Sequence, residues 1–322
     1  MKKIRIATLG QSVGYRISLI PRLIDSLGYR IEWVDPKSSE LIIFGPRFSL
    51  RKQSLRMVPK VFRRFIEKPF VESLQTYLGS REFWPVRLFH TREDVRHDFM
   101  DADYAISSDL TLDQKTHFRF PVWMESLDWS HEGIVREPID INDPYLQINR
   151  LMSPLGDSFI ERVSGGGRAA AFVAEQLREP YTTCMHAVER AIRVDGFGGV
   201  FDLQNRAITK YMVNLEKMLQ AYAFNLCPES TLYPGYITSK IPKAFASGCL
   251  PITWVDQSVK VDFNAQAFIN LAPMAADCYI EIESLKDERF LEKFAGEALL
   301  LNQPTLDPIK EYLKAILIEA TN

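Results

Sequence analysis

The chain has 322 residues, 46% of them hydrophobic and 25% charged, enough to bury a core without covalent staples and sized for about two domains. Those proportions exclude wholesale disorder, collagen-like sequence and a disulfide scaffold. The 39 Lys+Arg against 41 Asp+Glu leave a net charge of -2, so no global electrostatic case for a nucleic-acid partner arises.

Cys184, Cys227, Cys249 and Cys278 form no C-x-x-C pair and no Cys/His ladder of zinc-ligand spacing, and are expected to be buried thiols in a reducing, cytoplasmic compartment. The start, Lys2-Lys3-Ile4-Arg5-Ile6-Ala7-Thr8-Leu9, alternates charged and apolar residues. It reads as a first strand rather than a signal peptide. No run approaches the roughly 18 apolar residues that cross a bilayer.

In chain order, strand Ile4 to Leu9 ends at Gly10, a helical pattern spans about Ile17 to Leu27, and strands follow at Arg30 to Val34 and Glu40 to Phe44, stopped by Gly45-Pro46. Further strands are expected at Val86 to Phe89 and Tyr104 to Ile106. This βαβ rhythm predicts a doubly wound α/β unit over 1–160, with ligand residues beyond the carboxyl ends of its strands. Ser164-Gly165-Gly166-Gly167 is expected to be a hinge; a phosphate loop is the sharper reading, but no Gly-Lys-Ser/Thr follows.

A second unit, 161–322, restarts the rhythm at Ala169 to Ala174. A helix is expected over Thr183 to Ile192, then strand Arg193 to Asp195, a turn at Gly196 to Gly199, a helix through Ile208 to Tyr222 and strand Ala223 to Cys227. A polar loop with Glu229, Ser230 and Thr231 leads through Tyr233-Pro234-Gly235-Tyr236 to a helix with Thr238 as its expected N-cap and Lys240 in its first turn. Gly248 closes that helix before strand Leu250 to Trp254. A free helix N-terminus beside a lysine suits a diphosphate; the alternative is that Glu229 only caps the helix and Lys240 is solvated.

Phe224, Glu229, Tyr236-Ile237-Thr238, Lys240, Ala246-Ser247-Gly248, Pro251-Ile252 and Trp254 resemble the donor-binding signature of the α1,3-fucosyltransferases, F-x-x-x-x-E-N-S, Y-x-T-E-K and x-P-I-x-W. Phe89-His90-Thr91-Arg92-Glu93-Asp94-Val95-Arg96-His97-Asp98-Phe99 resembles the family's F-x-T-G-E-N-x-x-P-x-F, and Asp103-Tyr104-Ala105-Ile106 its D-Y-A-I. The resemblance implies a GT-B fold, two Rossmann-like domains facing a cleft, and inverting transfer of fucose or a related sugar from a GDP-sugar to a glycan or lipid-linked glycan acceptor of the lipopolysaccharide type. It implies no metal and no cofactor beyond the donor. Glu93 maps onto the candidate general base; Glu229, Ser230, Tyr236, Thr238, Ser239 and Lys240 map onto donor contacts.

Three positions depart from the pattern: Ser230 stands for the motif's Asn, Ser239 for the Glu of T-E-K, and Thr182 for an arginine associated with phosphate. Arg178 is the expected substitute. A non-catalytic or altered-specificity nucleotide- or glycan-binding protein on the same fold is the alternative. Asp101-Ala102-Asp103 imitates a metal-binding D-x-D, but Asp103 belongs to the D-Y-A-I match, and the five histidines show no metal-ligand spacing, so no metal site is expected. The basic stretch 51–68 either docks the protein peripherally on an anionic membrane face or is a solvated helix face.

Overall fold

In the computed structural model the described residues are 1–46, 84–110, 115–138, 143–165, 168–202, 215–272 and 282–322. The basic stretch 51–68 and Cys278 lie outside them. Two units divide the chain.

The first unit is built on β1 (Lys2–Leu9), α1 (Leu19–Ser26), β2 (Tyr29–Trp33), β3 (Leu41–Phe44), β4 (Val86–His90), β5 (Tyr104–Ser107) and β6 (His117–Arg119). All strand pairs are parallel and the order is β2-β1-β3-β4-β5-β6. All four residues of β3, Leu-Ile-Ile-Phe, are buried, as a strand covered on both faces requires. In α1, Leu19, Ile20, Leu23 and Ile24 form one buried stripe, and Gly28 follows the helix at φ 88°, a left-handed position that suits glycine. Strand β6 was not legible as a periodic run; only three residues pair with β5.

The second unit contains α2 (Ile148–Met152), α3 (Asp157–Ser164), β7 (Ala169–Val173), α4 (Tyr181–Glu189), β8 (Arg193–Phe197), α5 (Gly199–Asp202), α6 (Leu215–Leu219), β9 (Phe224–Leu226), α7 (Lys240–Ala246), β10 (Leu250–Thr253), β11 (Ile269–Asn270) and α8 (Glu288–Ala295). Its parallel sheet runs β11-β10-β9-β7-β8. Strand β8 extends through Gly196 and Phe197, where the sequence suggests a turn. Gly196 packs under the Phe201 ring, which a Cβ would strike at 2.4 Å.

The division differs from the expected boundary at 160–161. The first unit comprises Met1–Phe120, Trp129–Arg136 and Thr305–Asn322, and the second Pro121–Asp128 and Glu137–Pro304. Gly165 therefore falls within the second unit, at the C-cap of α3, and is not a hinge between units. After the second unit, α9 (Asp307–Ala320) returns to the first. It buries Ile309, Leu313, Ile316 and Leu317, and its Lys310 Nζ lies 2.6 Å from Glu132 Oε2. The Tyr312 hydroxyl donates to the Thr116 carbonyl at 2.9 Å.

Candidate active site

In both sheets the second strand lies on one side of the first and the third strand on the other. The connections on either side of that reversal diverge and leave a crevice at the carboxyl ends of the strands, where ligands bind in doubly wound folds. In the second unit the reversal falls between β7 and β9. A cavity of about 460 Å³ occupies that place, lined by Val173 and Ala174 beyond β7 and by Cys227 and Pro228 beyond β9. Phe172, Leu215, Leu219 and Leu226 supply apolar walls, while Arg178, Ser239, Lys240 and Lys243 supply cations and a hydroxyl. Three cationic side chains against one wall carboxylate, Glu175, favour an anion with an apolar portion. Burial pushes the Cys227 thiol well above its ordinary value, so it supplies no thiolate at neutral pH.

The loop between β9 and α7 is fastened by Glu229, whose side chain is 1% exposed. Glu229 Oε1 accepts from the Thr238 backbone N–H at 2.8 Å and from the Thr238 hydroxyl at 2.7 Å. Thr238 is thus not the N-cap: Ser239 precedes the helix, without a side-chain capping bond, and Lys240 is the first helical residue. A two-point acceptor nine residues upstream outcompetes a local cap, because it satisfies both Thr238 donors at once. Ser239 and Lys240 line the cavity; Glu229, Ser230, Tyr236 and Thr238 do not. Tyr236 packs edge-on against Tyr233 at 6.5 Å, and its backbone N–H donates to the Tyr233 carbonyl.

Lys240 is held from three sides rather than freely solvated. Its Nζ donates to the Pro228 carbonyl at 2.5 Å and to the Tyr181 hydroxyl at 3.3 Å, and lies 3.6 Å from Glu229 Oε2. It also sits 5.2 Å from the Tyr181 ring centroid, a cation–π distance. Its side chain remains 38% exposed. Tyr181, the first residue of α4, was missed in the sequence; its position just beyond the β7 crossover was the available signal. Thr182, standing for the expected arginine, donates its hydroxyl to Glu179, whereas Arg178 is exposed and lines the cavity.

In the first unit, Glu93 follows β4 at its carboxyl end. Its N–H donates to Thr91 Oγ1 at 3.0 Å and its carbonyl accepts from Val95 N–H at 2.8 Å. Thr91 itself extends the ladder to the Ile106 carbonyl, so the Glu93 turn is anchored on the sheet. Asp101 and Asp103 are both engaged by Arg87, at 2.9 and 2.7 Å, which accounts for the D-x-D imitation as an ion-pair network. Among the described residues, one group of His, Cys, Asp and Glu has metal-ligand proximity: His97, Asp109 and His117. Their spacing in sequence gave no sign of it.

Residues 169–291 match the family profile described as glycosyltransferase family 10 (fucosyltransferase) C-term. Over that segment the chain is similar to this family's C-terminal domain. Alpha-(1,3)-fucosyltransferase FucT of Helicobacter pylori is 29% identical over 208 residues, which is 58% of this chain and 40% of that protein. The match thus spans less than half the length of that relative. A solved alpha1,3-fucosyltransferase superposes with a TM-score of 0.65 at 20% identity, over 98% of this chain and 90% of the other. Its complex with GDP-fucose gives 0.63 at 20%, over 98% and 91%. Anabaena HepE in complex with UDP-glucose gives 0.50 at 9%, over 98% and 99%. The architecture is GT-B, with two parallel-sheet Rossmann-like domains. The family 10 match contains β7 to α7, so the cavity and the Glu229–Thr238–Lys240 group belong to it.

Among the described residues no helix is long and apolar enough to cross a membrane.

Proposed function

We propose that the protein is an inverting, metal-independent glycosyltransferase that moves fucose or a related sugar from a GDP-sugar to a hydroxyl of a surface glycan of the lipopolysaccharide type. The observation that carries this reading is the cavity at the β7/β9 reversal, walled by Lys240, Lys243, Arg178 and Ser239 inside the family 10 domain. A departing diphosphate gains negative charge in the transition state, and fixed cations in a partly desolvated site stabilise it without a metal ion. Arg178 supplies the planar fork that Thr182 lacks. The attacking hydroxyl must lose a proton, and Glu93 is the carboxylate assigned to take it. The helix that carries Lys240 is short, so the lysine rather than the helix dipole does most of this work.

A second reading, donor binding without turnover or with another donor, draws support from Lys240 itself. Its charge is partly answered by Glu229 and Tyr181, and Ser239 offers a hydroxyl where the resembled motif has a carboxylate. Product formation from a panel of nucleotide sugars and glycan acceptors decides between them. Turnover with GDP-fucose that falls at least about a hundredfold in Glu93→Gln, at unchanged donor affinity, supports the transferase. Binding without turnover, indifferent to Glu93→Gln, supports the second reading.

A further inference from the structure

We propose that His97, Asp109 and His117 form a divalent transition-metal site in the first unit, of the two-imidazole, one-carboxylate class that takes Zn²⁺. The three residues come from separate segments: the turn after β4, the loop after β5, and the first position of β6. Each offers one ligand atom within 4.8 Å of the other two. Imidazole nitrogen and carboxylate oxygen are the donors that zinc and its neighbours accept, and three protein ligands leave positions for water.

The three side chains are largely shielded from water and tied to one another or to the sheet. His97 and Asp109 side chains are 19% and 11% exposed, and His117 is buried. Asp109 Oδ2 lies 2.6 Å from His97 Nδ1 and accepts the His97 backbone N–H at 2.8 Å, which fixes carboxylate and ring to one another. Ser107 Oγ is 2.8 Å from His117 Nε2 and accepts the Asp109 N–H at 3.1 Å. Ser107 thus holds the His117 ring at Nε2, the kind of outer-shell contact that orients metal-binding histidines.

The two imidazole rings stack with centroids 3.9 Å apart and planes 16° from parallel. Because ring nitrogens donate in their own plane, coordination fans the two rings out of the stack. His97 also stands where the resembled F-x-T-G-E-N-x-x-P-x-F motif has proline, which offers no ligand atom, so the site arises from this chain's own departure. It does not depend on the transferase reading, whose donor residues belong to the second unit.

The test uses the full chain stripped of metal. Calorimetric titration with Zn²⁺ is expected to give one equivalent bound, and Co²⁺ a visible spectrum of low-coordinate intensity. His97→Gln, His117→Gln and Asp109→Asn each weaken binding by more than a hundredfold, and Ser107→Ala by about tenfold; the exposed His131→Gln and His186→Gln leave it unchanged. Should a variant not fold, the wild-type chain still decides: Zn²⁺ must protect His97, whose side chain is 19% exposed, from diethyl pyrocarbonate. Absence of stoichiometric uptake, binding that follows His131 or His186, or an unprotected His97 at saturating Zn²⁺ overturns the proposal.

Discussion

Replacing Glu229 by Gln separates a structural latch from a ligand contact at the same residue. The carboxylate accepts two hydrogen bonds from Thr238, at 2.8 and 2.7 Å, and glutamine keeps an oxygen able to accept both. What is lost is the charge, worth about 1 kcal/mol per bond as the difference between charged and neutral acceptors. The Lys240 pair, at 3.6 Å with the lysine 38% exposed, adds less than about 1 kcal/mol after solvent screening. The sum is about 2–3 kcal/mol, felt locally by the loop that positions Lys240. Backbone hydrogen exchange at the Thr238 amide should accelerate by about 30- to 150-fold, and a melting scan should fall in parallel. Unchanged exchange at Thr238 together with a tenfold or greater loss of donor affinity would show that Glu229 touches the ligand, and the latch argument would be refuted.

Other expectations concern both units. Glu132 is partly buried, which works against its charge, but Lys310 and the Leu306 N–H outweigh that and hold its carboxyl below the ordinary value. A depressed folded-state value means that its contribution is fully present above about pH 5 and is lost as pH falls through that value; near-ultraviolet circular dichroism should show α9 loosening on acidification, with a flatter profile in Glu132→Gln. Arg87→Lys should cost about 1–2 kcal/mol in denaturant titration, since an ammonium cannot reproduce the fork to Asp103 while also reaching Asp101. Gly198→Ala should cost at least about 2 kcal/mol, because φ is +101° and a Cβ would lie 2.4 Å from the Ala174 carbonyl oxygen; wild-type stability would remove the strain argument. Cys184, Cys227 and Cys249 are buried and the Cys249 thiol is pushed up to about 12 by burial, so native protein should resist iodoacetamide at these three sites by mass spectrometry and label only on unfolding.

The βα rhythm was legible because parallel sheets covered on both faces demand unbroken apolar runs. Leu41-Ile42-Ile43-Phe44 and Leu250-Pro251-Ile252-Thr253 announce themselves by composition alone. The short strand β6 did not, since three residues, two of them polar, carry no period. Motif residues were legible for the same local reason: Glu229, Thr238 and Lys240 sit within twelve positions of each other. Their assignments were not, because Thr238 could bond its own helix or reach back to Glu229, and only the loop's path decides which.

Length, composition and local periodicity therefore determined that two α/β units exist and where most strands run, while the motif resemblance marked the segment proposed to bind the donor. Tertiary structure alone decided that α9 returns to the first unit through Lys310 and Glu132, 178 residues apart, and that Lys240 is held by Pro228, Tyr181 and Glu229. It also gathered His97, Asp109 and His117 into one cluster. The physical reason is common to all three. Sequence encodes which residues must be buried or paired at short range, whereas convergence of distant polar groups depends on strand order and crossover, which no local pattern records.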